Sequence, residues 1–396
     1  MELGWHISGP RCGKMLADYG ADVLKIEKPP EGDPARRMGP FLNDDPNPEK
    51  SLLFSNVNLN KRGITLNLKT ATGKKIFREL VKDADILVES FSPGVMERLG
   101  LDYETLKKIN PKLVMTAISN FGQYGPYRDF KVSELVLAGY YDQYTHGLPG
   151  REPLKQGGNC EQYQAGHMAA AATIAAYWFA FMEGKGQYVD CSCQEAMESD
   201  IDHKTLNTLS GAFSGEAMIK REDLRSAKSA LMDISPSGIY PCKDGFVRAA
   251  GGIIFWSRFA AAFPELGAKY KWPEDVLDFT KKGEIDAFWY PWRLDHTKQE
   301  IMEYMQSFKF FCTAVNTPMD VIKSPQLEER GFWVEVEHPV TGKQLYPGDP
   351  FKIPDDPQWR VRMPPPMLGQ HNVEVFCDKL GYSKEDLVKL REAGVI

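Results

Sequence analysis

The 396-residue sequence has few of the features that mark metalloproteins, redox proteins or membrane proteins. Its seven cysteines are scattered, and no two have the C-x-x-C spacing of a metal or redox motif. The histidines show no H-x-x-x-H spacing, so no metal site is expected. No uninterrupted apolar run reaches the roughly 20 residues of a membrane span, and the amino terminus has no signal-peptide layout. We therefore expect reduced thiols, a cytoplasmic location and no membrane contact.

Signatures of several common enzyme classes are also missing. There is no G-x-G-x-x-G after a strand, no Walker sequence and no G-x-S-x-G nucleophile elbow, which disfavours dinucleotide, P-loop and serine-hydrolase functions. A net charge of -6 argues against a general nucleic-acid binder. The composition, 42% hydrophobic and 26% charged, is that of a globular protein long enough for two domains.

What the sequence does contain is an alternation of short strands and helices. This spacing predicts a parallel α/β sheet with right-handed crossovers. A hairpin at 239–250 and aromatic helices after it predict a second, smaller α+β domain. We predict a large domain from both chain ends (1–200 and 336–396), a linker (201–231) and a small domain (232–335). The predicted strands of the sheet are 22–27, 64–68, 85–90 and 113–119, and the predicted helices between them are 12–19, 72–83 and 103–109.

The segment 157–178 (GGNCEQYQAGHMAAAATIAAYW) organises our interpretation. It predicts a Gly-Gly loop that enters a buried helix, whose Gly/Ala face allows close packing. Side chains at the head of such a helix lie where its dipole favours an anion. Glu161 and Gln162 occupy this position.

Several stretches, in this order, together resemble the class III CoA-transferases, the group of formyl-CoA transferase, carnitine and bile-acid CoA-transferases (CaiB/BaiF) and α-methylacyl-CoA racemase. The resemblance implies a Rossmann-like large domain, a small domain and two interlocked subunits. It also implies a carboxylate nucleophile, an aspartate that attacks the acyl-CoA thioester before CoA passes to an acceptor acid. The stretches that carry it are 8–10 (SGP), 16–29 (LADYGADVLKIEKP), 32–36 (GDPAR), 58–69 (NLNKRGITLNLK), 92–114 (SPGVMERLGLDYETLKKINPKLV), 121–127 (FGQYGPY), 184–192 (GKGQYVDCS), 330–342 (RGFWVEVEHPVTG) and 368–375 (LGQHNVEV).

The sequence departs from this family at the nucleophile. The family aspartate precedes a glycine by four residues; here that glycine is Gly166, and the position holds Gln162. A glutamine amide is a poor nucleophile. Glu161 is adjacent, but neighbouring residues point in different directions, and a capping carboxylate is its simpler interpretation.

The expected contacts with CoA are mixed. Arg36, Lys69, Arg98 and Lys131 resemble the family's CoA-contacting residues, and each also fits a solvated surface charge. Ile7, Ser90 and Ala138 stand where the family has polar residues, so CoA is expected mainly on a partner subunit.

Two hypotheses follow from these departures. In the first, the chain is a catalytically silent subunit that interlocks with a homologous, aspartate-bearing subunit. Two-subunit members of the family suggest succinyl-CoA as the CoA donor and benzylsuccinate, from anaerobic aromatic degradation, as the acceptor. In the second, the chain is itself an active CoA-transferase that uses Glu161 or an aspartate-independent acyl-CoA chemistry. In both, a CoA thioester is a substrate and no bound cofactor is expected.

Overall fold

The structure is a computed structural model that describes residues 1–140, 152–200, 202–215, 236–276, 278–348, 350–353, 355 and 360–396. Its contacts fall into two compact units, one of residues 1–143, 155–205 and 328–396 and one of 144–154 and 206–327. The domain boundaries predicted above stay predictions, and most of the predicted linker, from 216 onward, lies outside the described residues.

The first unit is built on six parallel strands in the order β3-β2-β1-β4-β5-β6. This is the strand order of the doubly wound Rossmann fold, in which the direction of winding reverses between β1 and β4. The predicted parallel α/β class is therefore confirmed. The strands are β1 (Glu2–Leu3), β2 (Val23–Glu27), β3 (Lys61–Thr65), β4 (Ile86–Glu89), β5 (Val114–Ser119) and β6 (Tyr188–Ser192).

Helices cover both faces of this sheet, because successive strand residues point to opposite faces. Leu87 packs with α3 in one core, and the next residue, Val88, packs with α1 and α7 in the other. The helices of this part of the chain are α1 (Ser8–Asp18), α2 (Leu52–Val57), α3 (Ala71–Val81), α4 (Val95–Leu99), α5 (Tyr103–Leu106), α6 (Glu134–Ala138), α7 (Cys160–Glu183), α8 (Cys193–Asp200) and α9 (Asp202–Ser214).

One predicted strand is displaced. The sequence pattern placed it at 64–68, but β3 is Lys61–Thr65. Leu66 and Leu68 continue the apolar alternation and are buried although they follow the strand. Lys61 belongs to the strand despite its charge, because its ammonium lies 2.7 Å from the buried Glu2 carboxylate. Burial lowers the pKa of Lys61 to about 8.

The second unit has an antiparallel sheet in the order β7-β8-β9. The predicted hairpin at 239–250 is confirmed, with Cys242 opposite Gly245 at its turn. Its core is aromatic and centres on the fully buried Trp289. The remaining elements of the chain are β7 (Ser237–Cys242), β8 (Gly245–Ala250), α10 (Gly252–Ala262), α11 (Pro264–Lys269), α12 (Lys282–Asp295), α13 (Lys298–Ser307), β9 (Cys312–Ala314), α14 (Pro318–Ile322), α15 (Pro325–Glu329), β10 (Trp333–His338), β11 (Gly342–Pro347), a π-helical segment (Glu374–Lys379) and α16 (Lys384–Glu392).

The α7 helix is 24 residues long, and by length and mean hydropathy it could cross a membrane. A core helix passes the same test, and α7 packs with Ala176 and Ala180 against Val114 of β5. Its contact with α1 is closer still. A Cβ at Gly166 would lie 2.8 Å from the Ser8 carbonyl oxygen and 2.7 Å from the Arg11 Cβ. The predicted Gly/Ala packing face is therefore present at Gly166.

We expect Gly166→Ala to destabilise the protein by about 1–3 kcal/mol, because the added methyl group has no space between the two helices. Gly211, in α9, has no atom within 4 Å of an added Cβ. The control Gly211→Ala is expected to be neutral or to stabilise by up to about 1 kcal/mol. Urea unfolding of both variants measures the difference. Equal stability of the two variants would show that the α1–α7 contact is looser than the structure has it.

Candidate active site

A cavity of about 780 Å³ opens at the carboxyl ends of the parallel strands. It is lined by residues that follow β1, β4 and β5, among them Trp5, Ser90 and Asn120. Ligands of open α/β sheets bind in this place, where the strand order reverses. The backbone N–H of Trp5 donates to the Ser90 Oγ at 2.9 Å, and this bond joins the ends of β1 and β4 at the cavity.

The first turn of α7 reaches this cavity and separates the two residues singled out by sequence. Gln162 lines the cavity, and its Nε2 donates to the Asn120 Oδ1 at 3.3 Å. Glu161 is 0% exposed and does not line the cavity. Its backbone N–H donates to the Oε1 of Glu134, a residue of α6 that does line the cavity. The structure thus presents an amide to the cavity at the position where the sequence analysis expects the nucleophile of the resembled family.

Three of the four basic residues expected to meet CoA lie on the cavity wall. Lys69, Arg98 and Lys131 line it, and all three are exposed. Two further bases line the same cavity, Lys28 and Arg128. Sequence reasoning missed these two, although Lys28 directly follows β2 and so stands at the edge of the sheet where ligands bind.

The structure places Arg36, the fourth basic residue expected to contact CoA, away from the cavity. It is 0% exposed and does not line the cavity. Its guanidinium donates to both carboxylate oxygens of Glu27, to Glu49 and to the Pro366 carbonyl, and it lies over the Phe54 ring at 3.7 Å. Every nitrogen is engaged within the fold, so Arg36 is left out of the candidate site.

Of the three positions whose residues argued against CoA binding, Ile7 and Ser90 line the cavity and Ala138 does not. Ala138 is buried in α6 against Met197 and does not line the cavity. Ser90 keeps a polar contact at the end of β4, and only Ile7 puts an apolar side chain on the wall. Of these three departures from the family, the one at Ala138 therefore lies outside the cavity wall.

Other candidates have structural roles. His167 accepts from the Arg11 Nε at 2.8 Å and joins α1 to α7, as a helix-packing residue would. Within the described ranges, no group of three or more His, Cys, Asp or Glu side chains could hold a metal ion.

The fold and the cavity define an α/β protein with a ligand crevice at the switch point of a Rossmann-like sheet. Comparison with known proteins identifies the family: residues 1–372 match the model of CoA-transferase family III, and the chain belongs to this family.

The relatives are matched over nearly their whole length. The chain is 31% identical to formyl-CoA:oxalate CoA-transferase of Rhodopseudomonas palustris (strain BisA53), covering 98% of this chain and 94% of the relative. It is 30% identical to succinyl-CoA:(R)-benzylsuccinate CoA-transferase subunit BbsE of Thauera aromatica, covering 98% and 95%. A solved CaiB/BaiF family protein from Brucella suis superposes with a TM-score of 0.79 at 26% identity, covering 95% of this chain and 97% of the other. The predicted family and its class III CoA-transferase activity are supported by these matches.

We expect Arg36→Ala to destabilise the protein by about 3–5 kcal/mol, because it leaves the Glu27 carboxylate buried without its cation. The neighbouring Arg37 is exposed, so Arg37→Ala is expected to change stability by less than about 0.5 kcal/mol. Urea unfolding compares the two variants. A stable Arg36→Ala variant with weakened CoA binding would return Arg36 to the candidate site.

Proposed function

We propose that this chain is a subunit of a class III CoA-transferase that holds a CoA thioester in its cavity but does not supply the nucleophile. A homologous subunit with an aspartate at the position of Gln162 would form the covalent intermediates. The observation that carries this proposal is the placement of Gln162, a neutral amide, on the cavity wall where α7 begins. An amide cannot form the anhydride and thioester of the family reaction by simple attack.

The alternative nucleophile, Glu161, is poorly placed. A nucleophile must come within about 3–3.5 Å of the thioester carbon, and Glu161 is fully buried beside the cavity rather than on its wall. Its backbone N–H donates to the Glu134 Oε1 at 3.1 Å, so a second carboxyl group lies close to it, and burial together with Glu161 raises the pKa of Glu134 to about 8. This supports the silent subunit over transfer through Glu161.

An uncovered apolar surface supports the presence of a partner. Near the end of α7, Trp178, Phe181 and Met182 are each more than 60% exposed, and the Trp178 and Phe181 rings stack at 5.8 Å. Contiguous apolar surface of this kind marks protein interfaces. We propose that it packs against the homologous subunit in an interlocked pair, in the cytoplasm.

The substrates are proposed from the relatives. The benzylsuccinate enzyme of Thauera aromatica is named as a subunit, and its name gives succinyl-CoA and (R)-benzylsuccinate. We propose succinyl-CoA as the donor and an aromatic dicarboxylate such as benzylsuccinate as the acceptor. Formyl-CoA as the donor and oxalate as the acceptor, from the name of the other relative, are the competing pair.

Co-purification tests the assembly. The tagged chain, expressed with its genomic neighbours, is expected to bring down a homologous chain with aspartate at the position of Gln162, and only the pair is expected to transfer CoA. In this pair Glu161→Gln should lower kcat by less than about tenfold, whereas loss of a covalent nucleophile costs several orders of magnitude. Replacing the partner's aspartate with asparagine is the matched control. Loss of transfer in Glu161→Gln, with CoA attached to Glu161 in the wild type by mass spectrometry, would contradict the silent-subunit proposal.

Calorimetry with CoA tests the cavity. Lys69→Ala and Arg98→Ala are each expected to weaken binding by about tenfold or more, because a charge-assisted contact with phosphate contributes roughly 1.5–3 kcal/mol. Lys75, an exposed lysine of α3 outside the cavity lining, is the control, and Lys75→Ala should leave the affinity unchanged. Two sites per pair are expected. One site per pair, insensitive to Lys69→Ala, would place CoA on the partner alone.

A further inference from the structure

Two side-chain amides from distant parts of the chain meet on the wall of the cavity. Asn120 directly follows β5, and Gln162 lies in the first turn of α7. Both residues line the cavity, and the Gln162 Nε2 donates to the Asn120 Oδ1 at 3.3 Å. This bond uses one N–H of Gln162 and the amide oxygen of Asn120. The amino group of Asn120 and the second N–H of the Gln162 amide take no part in it.

Both amides are held from outside the cavity. The backbone carbonyl of Asn120 accepts from the Gln194 N–H at 3.1 Å, where α8 begins, and from the Ser192 Oγ at 3.5 Å. Gln162 belongs to the helix that packs closely on α1. Within the described ranges, neither side-chain amide makes a further hydrogen bond. The unused N–H groups are therefore positioned at the cavity before a ligand binds.

The residue before Asn120 adds a third polar group to this part of the wall. The Ser119 side chain also lines the cavity, and the residue is only 8% exposed. Its Oγ is buried and makes no hydrogen bond in the part of the chain that the structure describes. A buried hydroxyl without a partner costs free energy that a bound polar group would recover. The end of β5 and the first turn of α7 thus offer a ligand only uncharged groups, two amides and a hydroxyl.

We propose that the amides of Asn120 and Gln162 donate hydrogen bonds to the carbonyl oxygen of an acyl thioester, so that this cavity distinguishes an acyl-CoA from free CoA. This deepens the proposed function and rests on the cavity's holding CoA. Uncharged donors suit an uncharged acceptor such as a carbonyl oxygen. The phosphates of CoA are instead matched by the bases of the wall, among them Lys69, Arg98 and Lys131.

The two amides would orient the thioester without reacting with it. Each neutral hydrogen bond changes a binding constant by roughly two- to tenfold, so the pair is sufficient to favour an acyl-CoA over CoA. An amide is a poor nucleophile, so the bound thioester is not attacked from this side. The cavity is therefore suited to retaining an intact acyl-CoA.

Two ligands that differ only at the carbonyl test the proposal in the wild-type protein. Butyryl-CoA carries the thioester carbonyl, and S-butyl-CoA, a thioether, has a methylene group in its place. Calorimetry is carried out on the full chain in its native assembly. We expect butyryl-CoA to bind about tenfold more tightly than S-butyl-CoA, because only its oxygen can accept from the amides.

Variants then assign this preference to the two residues. Gln162→Met keeps the length of the side chain and removes its amide, so butyryl-CoA should bind about three- to tenfold more weakly and S-butyl-CoA within about twofold of the wild type. Asn120→Asp keeps an acceptor for Gln162 but replaces the donor with a carboxylate that repels the carbonyl oxygen. It should weaken butyryl-CoA by at least about tenfold, and S-butyl-CoA by less.

The control is Gln299, an exposed glutamine of α13 outside the cavity lining. Gln299→Met should leave both affinities unchanged. Substitutions in this chain do not alter a site on a partner subunit, so each difference from the wild type reports on this cavity. Urea unfolding checks that the variants are folded, and if they are not, the comparison of the two ligands in the wild type still decides.

Infrared spectroscopy observes the contact itself. Butyryl-CoA labelled with ¹³C at the thioester carbonyl gives a band that can be separated from those of the protein. Hydrogen bonds to the oxygen weaken the C=O bond, so this band should move to lower frequency on binding. The shift should be smaller in Gln162→Met and in Asn120→Asp, and unchanged in Gln299→Met.

The outcomes separate this proposal from the proposed function. Equal affinities of the wild type for butyryl-CoA and S-butyl-CoA, or a Gln162→Met variant that keeps the full preference, would overturn carbonyl recognition and leave the CoA site in place. If CoA, butyryl-CoA and S-butyl-CoA all fail to bind, the proposed CoA site is wrong, and carbonyl recognition fails with it.

Discussion

The close contact between α1 and α7 at Gly166 determines where the chemistry of this protein lies. The backbone of α7 approaches Ser8 and Arg11 so closely that a Cβ has no space, and the Arg11–His167 hydrogen bond joins the same two helices. Because α7 is continuous from its first turn through this contact, the position of Gln162 in the cavity follows from it. A change in this packing would move the amide away from the cavity wall.

The charges on the cavity wall differ from those expected at a site where a carboxylate acts as the nucleophile. Several bases line the wall, among them Lys69, Arg98 and Lys131, as at a phosphate-binding site. Glu161 is buried, and the pKa of Glu134 is raised by burial and by Glu161. The result is a cavity with several positive charges and, at the first turn of α7, a neutral amide. This position is poorly suited to covalent attack, because an amide is a weak nucleophile.

Much of the fold and part of the site could be predicted. The alternation of strands and helices predicted the sheet, and the hairpin in the second unit was correctly located. The basic residues Lys69, Arg98 and Lys131 follow motifs of the family and reach the cavity. Arg36 belongs to a similar motif, but its burial and its bonds to Glu27 and Glu49, away from the cavity lining, could not be read from spacing. The bounds of β3 were also misplaced because of contacts that are distant in sequence. The apolar residues after the strand, Leu66 and Leu68, are buried by contacts with other parts of the chain.

By itself, the sequence determined the class of fold and the family, and it predicts an amide at the position of the family's acid. These depend on local pattern and on residue type, which a chain carries before it folds. Only the tertiary structure decided which of two adjacent residues faces the cavity, because one position along a helix turns a side chain by about 100° and the packing of α7 selects the direction. It likewise decided that Glu134 and Glu161, 27 residues apart in the chain, come into contact. Burial, together with that proximity, raises the pKa of Glu134, and neither cause is a property of the residue alone.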